Sequence, residues 1–245
     1  MRKLQVLMPM AGLGSRFSNA GYSSPKPLIQ VDGRPMFIKA LSSIDNIDIA
    51  KKFYFVIRKQ HVEELNLDKL IKEALPDANI IVIPQMTRGA TETALAASAS
   101  LQPDDGLLIM DCDIWFESLE YAKLISGALR GENSLNGGLL TFAAKDPRYS
   151  YAKLDKDGIV LETAEKKVIS NHAITGAYFF TNASEFIDSA NKLLMQPIND
   201  KMPEYYLSLL YNILIHDGKR IQAAEVNDFA SFGTPEELRA YKSTA

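Results

Sequence analysis

The chain has 245 residues, 47% of them apolar and 23% charged, a mix that can bury a large core and excludes extended disorder. Lys and Arg total 27 against 30 Asp and Glu, a formal charge of -3, so no global positive field exists to hold nucleic acid or an anionic membrane. Any anion site must be local. A single cysteine, Cys112, excludes an internal disulfide, and three histidines (His61, His172, His216) are too few for a Cys/His zinc cluster.

The opening Met1-Arg2-Lys3-Leu4 has the charge of a leader, but Gln5 and Pro9 interrupt the apolar stretch and no Ala-x-Ala pattern follows. No apolar run reaches the roughly 18 residues of a membrane span. The expected location is the cytoplasm.

Short, continuous apolar runs at 4–8, 53–57, 80–83 and 107–110 predict buried strands covered on both faces. Between them, 35–44, 61–75 and 91–101 predict helices, from a Pro start, an apolar stripe and Ala richness respectively. This alternation predicts a mainly parallel sheet with helices on both sides. After Gly131 the pattern changes to strands at 137–144, 149–154, 159–164 and 173–181, split by Asp157-Gly158 and polar turns, an expected mixed or antiparallel addition to the same sheet. Helices at 184–194 and 203–216, a strand at 220–226 and a helix from Pro235 complete the expectation. No internal repeat or linker is visible, so one domain over 1–245 is expected.

The loop after the first strand, Ala11-Gly12-Leu13-Gly14-Ser15-Arg16, carries most of the chemical information. Two glycines between a strand and a helix let the backbone approach a ligand closely and aim several N–H groups at one anion. The dinucleotide fingerprint wants a third glycine where Phe17 stands, and the Gly-Lys-Ser/Thr of the Walker loop is absent. The loop therefore reads as a phosphate cradle of neither kind.

Gly12-Leu13-Gly14-Ser15-Arg16 followed by Pro25-Lys26-Pro27 resembles the signature of the sugar-phosphate nucleotidylyltransferases, which make NDP-sugars from an NTP and a sugar 1-phosphate. The resemblance continues in order. Gln85 with Gly89-Ala90 is similar to the segment that reads base and ribose, Asp111-Cys112-Asp113 to the strand-end aspartate that holds magnesium, and Glu165-Lys166 to the motif that meets the sugar phosphate. Gly176-Ala177-Tyr178-Phe179-Phe180 resembles the family's Gly-x-Tyr-x-Phe strand, and Gly233-Thr234-Pro235-Glu236 its closing motif. Met8-Pro9-Met10 and Ser150-Tyr151 resemble the short variants of bacterial capsule and lipopolysaccharide clusters.

The resemblance implies an α/β, Rossmann-like mixed, mainly parallel sheet flanked by helices (the nucleotide-diphospho-sugar transferase fold), with an NTP-binding half at 1–130 and a sugar-phosphate-binding half at 131–245. It implies in-line attack of a sugar-phosphate oxygen on the α-phosphorus of an NTP with loss of pyrophosphate, a reaction that needs positioning and charge neutralisation but no covalent nucleophile. Arg16, Lys26 and Asp113 take the catalytic roles, Arg16 bridging the triphosphate and Lys26 reaching the α-phosphate. Ala11, Gly12, Gly14, Ser15, Gln85, Gly89 and Ala90 bind the nucleotide; Glu165, Lys166, Gly176 and Tyr178 bind the sugar phosphate, with Lys166 on its phosphate. Tyr151, Lys153 and Thr175 are expected on the same side. The implied cofactor is magnesium, on Asp113 with Asp111.

Two departures stand out. Ser231 occupies the place of the second aspartate ligand, which leaves Asp228, three residues earlier, to reach inward if the strand bulges. Lys167 stands where proline usually follows Glu-Lys. The length leaves no room for the C-terminal β-helix acyltransferase of some relatives, so a single activity is expected. The expected partners are the NTP and sugar-phosphate substrates, with no nucleic acid and no membrane; self-association as a homo-oligomer is left open. Two alternatives remain at this stage. One is a metal-dependent NDP-sugar glycosyltransferase using Asp111 and Asp113, which has no need of the triphosphate grip; the other is a non-catalytic nucleotide- or sugar-phosphate-binding module. Asp111 and Asp113 have a structural alternative as well, capping a helix that begins near Glu117.

Overall fold

A computed structural model describes residues 2–200 and 202–244; Met1, part of the leader-like start, lies outside the described residues. From the amino end the chain forms β1 (Leu4–Pro9), α1 (Ser15–Asn19), the small β2 (Gln30–Val31) and β3 (Arg34–Pro35) hairpin, and α2 (Met36–Ser42). Then come β4 (Lys51–Arg58), α3 (Lys59–Leu65), α4 (Leu67–Ala74), β5 (Asn79–Ile83), α5 (Ala90–Leu95), β6 (Gly106–Met110), β7 (Ile114–Glu117) and α6 (Leu119–Arg130). The second half adds β8 (Gly137–Ala143), β9 (Tyr151–Leu154), β10 (Val160–Ala164), β11 (His172–Phe180) and α7 (Ala183–Leu194). It closes with α8 (Leu210–His216), β12 (Ile221–Glu225), β13 (Asp228–Ser231) and α9 (Pro235–Thr244).

Nine strands share one sheet in which β5, β4, β1 and β6 run parallel, β11 joins β6 antiparallel, and β8–β12 and β9–β10 extend from β11. Alternation along the strands divides the core in two. Leu4, Val6, Met8, Phe55 and Leu108 pack beneath α2, α4 and α6, whereas Leu7, Tyr54, Val56, Leu107 and Ile109 face α5, α7 and α8. Gln5 stays buried in β1 because the Gln102 backbone satisfies its amide at both ends, 2.9 and 2.7 Å. From β1 the chain moves out to β4 and β5, then returns to β6 on the other side of β1. The carboxyl ends of β1 and β6 therefore flank a topological switch point, the place where open α/β sheets bind ligands. Among the described residues no helix is long and apolar enough to cross a membrane.

The predicted helices are interrupted more often than their apolar stripes suggest. The expected helix 61–75 is two, because Asn66 takes a left-handed conformation (φ 49°) that ends α3. The helix expected over 91–101 ends at Leu95 and continues only as one 3₁₀ turn, Ser98–Ser100. That expected over 203–216 begins at a 3₁₀ turn, Leu207–Leu209, because Tyr205 is drawn into backbone hydrogen bonds with Arg88 and Thr91 (2.9 and 3.0 Å). The sequence pattern also missed β7 and β13, which pair as a separate antiparallel ribbon. Ser118 caps α6, its Oγ accepting the Tyr121 N–H at 3.1 Å, so Asp111 and Asp113 are not the helix caps. A third small core, with Phe17, Val31 and Met36 against Phe232 and Leu238, fastens the segment after the glycine loop to the end of the chain.

His61 is buried beside Arg58, whose Nη2 lies 2.8 Å from His61 Nε2. Burial first, and then the Arg58 charge, push its pKa below the usual value; the Met10 carbonyl and Glu64 pull the other way and are outweighed. A histidine whose folded pKa is depressed stabilises fully above its unfolded pKa, and that contribution is lost as pH falls through the folded one. Urea midpoints of the wild type should therefore fall between about pH 7 and about pH 5, and His61→Gln should flatten that fall. An unchanged slope in the variant would assign the pH dependence to other groups.

Candidate active site

The loop between β1 and α1 leaves the sheet at the switch point, where Met10 N–H still donates to the Val56 carbonyl (2.8 Å). Gly14 has φ 62°, and a Cβ there would stand 3.3 Å from Lys26 Cβ, so glycine both makes the turn and admits the Pro25-Lys26-Pro27 segment against it. Among the described residues, the backbone N–H groups of Ala11 to Arg16 donate to no protein acceptor. The first intramolecular bonds after the loop are those of Phe17 and Ser18 N–H to the Gly14 carbonyl (2.9 and 3.3 Å). Six consecutive amides without a protein partner thus remain as donors at the start of a short helix, where an anion could take them up. Arg16 is exposed and has no ion-pair partner among the described residues.

Opposite the loop, Asp111 and Asp113 follow β6. Lys26, fixed in a 3₁₀ turn between its prolines, places its ammonium on Asp113 Oδ2. Burial opposes the charge on Lys26, but the combined attraction of Asp113, Cys112 and Asp111 raises its pKa above the usual value. Asp111 is pushed up to about 7, by burial and then by Asp113, with Lys26 acting against both. Burial and the neighbouring Asp113 push the Cys112 thiol up to about 12, which rules it out as a thiolate nucleophile at neutral pH. Gly176, at φ 102°, has no room for a side chain, since a Cβ would lie 2.5 Å from Asp111 Oδ2.

Three adjoining cavities meet at Asp111. One of about 300 Å³ lies between the glycine loop, Lys26 and Asp113. A second, of about 490 Å³, is walled by Ala11 and Gly12 on one side and by 86–90 on the other. Its outer wall depends on Gly89 (φ 138°), where a Cβ would approach the Tyr205 backbone to 2.6 Å. Gln85, expected to read the base, is exposed just before this wall and does not line it. The third cavity, about 240 Å³, is lined by Asp113, Glu165, Thr175, Gly176 and Tyr178. Glu165 Oε2 accepts from Ser150 and Ser208 hydroxyls (2.5 and 2.8 Å), which fixes the carboxylate in the wall.

Other expected acceptor-side residues are placed differently. Lys166 (φ 52°) is exposed and does not line the cavity; its Nζ donates at 2.9 Å to the hydroxyl of Tyr206, which does. Tyr151 is fully buried with its hydroxyl on the Asp146 carbonyl (2.7 Å), and Lys153 is exposed on β9, so neither faces the cavity. Asp228 is not brought to Asp113. It pairs with Glu117 at the far end of β13, is exposed, and accepts the Phe229 N–H at 2.8 Å, whereas the strand delivers Ser231 to the cavity. No bulge shortens that distance, which spans three residues of extended chain.

Sequence reasoning missed Arg148 and Glu237. Arg148 lines the third cavity, its Nη1 2.9 Å from Glu237 Oε1. Glu237 Oε2 accepts the Thr234 N–H (3.0 Å) while Thr234 Oγ1 accepts the Glu237 N–H (3.2 Å), a reciprocal capping box at the start of α9. Thr-x-x-Glu was the readable signal for the cap; nothing in the sequence paired it with Arg148.

The donor chemistry fits a hard divalent cation: two carboxylates at a strand end, one already holding an ammonium. No group of three or more His, Cys, Asp or Glu that could hold a metal exists among the described residues.

Comparison with known proteins agrees with this architecture. The solved nucleoside-diphosphate-sugar pyrophosphorylase of Vibrio cholerae RC9 superposes with a TM-score of 0.83 over 96% of this chain and 98% of its own, at 22% identity. A putative glucose-1-phosphate thymidylyltransferase from Bacillus anthracis (TM-score 0.75, 18% identity, 99% and 94% covered) and the inositol-1-phosphate CTP transferase of T. maritima (0.70, 14%, 99% and 94%) share the fold. In sequence, the bifunctional protein GlmU of Enterococcus faecalis is 26% identical over 94% of this chain, and that of Thermosipho melanesiensis 24% over 84%. The chain spans about half the length of these relatives, 48% and 42% respectively. The family model described as nucleotidyl transferase matches residues 6–223, so the chain carrying this glycine loop and strand-end carboxylate pair belongs to the nucleotidyl transferase family.

Proposed function

We propose that the protein transfers a nucleoside monophosphate from an NTP to a sugar 1-phosphate, or a similar phosphorylated alcohol, with release of pyrophosphate, in the service of cell-surface polysaccharide synthesis. The observation that carries this reading is the row of amides from Ala11 to Arg16 without protein acceptors, in a loop whose Gly12 and Gly14 line one small cavity together with Lys26 and two carboxylates. A dehydrogenase or P-loop enzyme needs other glycines, and a glycosyltransferase has no triphosphate to grip.

In this reading the amides bind the triphosphate and Arg16, exposed in the first turn of α1, meets it with a planar fork suited to phosphate oxygens. Lys26 exchanges Asp113 for an oxygen of the α-phosphate and neutralises the charge that grows there in the transition state. Base and ribose lie against Gly89 and Ala90, and the acceptor lies in the cavity with Glu165, Gly176 and Tyr178. Asp113 with Asp111 would hold magnesium, which when bound neutralises phosphate oxygens and aligns them. Attack by the acceptor phosphate then forms the new P–O bond as the bond to pyrophosphate breaks, its lone pair passing to the leaving group. Proximity is the main contribution of the protein.

Pyrophosphate release from four NTPs against a panel of sugar 1-phosphates and phosphocholine tests the reading: one pair should turn over, and no release with any pair contradicts it. With the active pair, Arg16→Ala and Asp113→Ala should each slow turnover by about a thousandfold or more without loss of fold, whereas wild-type rates would remove them from the mechanism. Gly89→Ala forces a Cβ onto the Tyr205 backbone. It should cost about 1–3 kcal/mol of stability in urea unfolding and weaken nucleotide binding about tenfold or more; unchanged values for both would show that the wall yields freely.

A further inference from the structure

We infer that Arg148 is the group that receives the phosphoryl end of the acceptor, a reading that rests on the proposed transfer and extends it beyond the Glu165-Lys166 motif. The acceptor cavity is walled by Asp111, Asp113 and Glu165, and Arg148 is the one cation among its described lining residues. A phosphomonoester entering there meets three carboxylates, and an anion buried among carboxylates is strongly disfavoured unless a cation meets it. Neither Lys26, paired with Asp113, nor Lys166, on the Tyr206 hydroxyl, lines that cavity.

Arg148 is also held in a fixed attitude. Its guanidinium carbon sits 4.7 Å from the Tyr149 ring centroid, and Nη2 donates to Tyr149 OH at 2.5 Å. Nη1 and Nε lie 2.9 and 3.3 Å from the carboxylates of Glu237 and Asp146. Glu237 is itself immobilised by the capping box of α9 and by the Ser231 hydroxyl at 3.1 Å, next to Gly233 and Asp113. The closing motif thus anchors an arginine in the wall of this cavity. The guanidinium has five N–H donors, and of these the one on Tyr149 OH forms a side-chain hydrogen bond of good geometry among the described residues. The Glu237 and Asp146 contacts are charge contacts, so donors remain for a phosphate. A purely surface arginine, half exposed as this one is, would need neither the cavity wall nor an anchored partner.

The test uses the whole protein with glucose 1-phosphate and phosphocholine as phosphomonoester probes, glucose and choline as unphosphorylated controls, and ³¹P line broadening as a binding readout that needs no turnover. Wild type should broaden at least one probe; Arg148→Ala should abolish this and Arg148→Lys should restore part of it, with urea midpoints close to wild type. Where turnover is measurable, Arg148→Ala should raise the acceptor KM about tenfold to a hundredfold and leave the NTP KM within about twofold. Glu237→Gln, which loosens the anchor, should raise the acceptor KM less. Equal broadening by wild type and Arg148→Ala, no probe bound by wild type, or a larger effect from Glu237→Gln would each overturn the assignment. A wild type that binds a probe through Arg148 yet releases no pyrophosphate would instead sink the transfer reading and leave Arg148 as a phosphoester site.

Discussion

The contact between Lys26 and Asp113 joins segments 87 residues apart and decides how the rim of the sheet is organised. Two carboxylates, Asp111 and Asp113, follow one strand into a partly buried cleft, where burial and then Asp113 disfavour the charge of Asp111. Lys26 offsets that repulsion from the opposite side and, in doing so, draws the Pro-Lys-Pro segment and the glycine loop over the strand ends. The loop amides find no protein acceptor, and Gly12 and Gly14 line the cleft beside Lys26 and Asp113.

The rest of the chain supports that one junction. Phe17, Val31 and Met36 pack against Phe232 and Leu238, so the segment that carries Lys26 and the segment that closes the chain form one small core. The Phe232 N–H donates to the Asp113 carbonyl at 2.7 Å, which places Ser231, Gly233 and the capped start of α9 beside the carboxylate. On the other side, Tyr205 forms a backbone link to Arg88 and Thr91 and shapes the wall formed by residues 86–90 from a region far away in sequence. Each wall of the cleft therefore depends on a contact between distant segments.

This dependence explains what could be read from the sequence. Strands such as β1 and β6 are legible because burial on both faces demands unbroken apolar runs, and the turn is legible at Gly14 because its positive φ favours glycine. The mixed sheet flanked by helices was legible from the alternation of elements and from the resemblance. Helix ends were not, because Asn66 and Tyr205 terminate them through a left-handed residue and a tertiary backbone bond. The β7–β13 ribbon was hidden for the same reason, and with it the fact that Ser231 and not Asp228 reaches the cleft. Arg148 and Glu237 escaped notice because their pairing joins a polar turn to a helix cap, and neither motif by itself points at the other.

The most direct measurement is a crystal structure with a non-hydrolysable NTP analogue and magnesium. The account predicts the polyphosphate on the amides of residues 11–16, the base against Gly89 and Ala90, and Lys26 moved from Asp113 to an α-phosphate oxygen. A nucleotide bound elsewhere, with those amides bare and Lys26 still on Asp113, would contradict it.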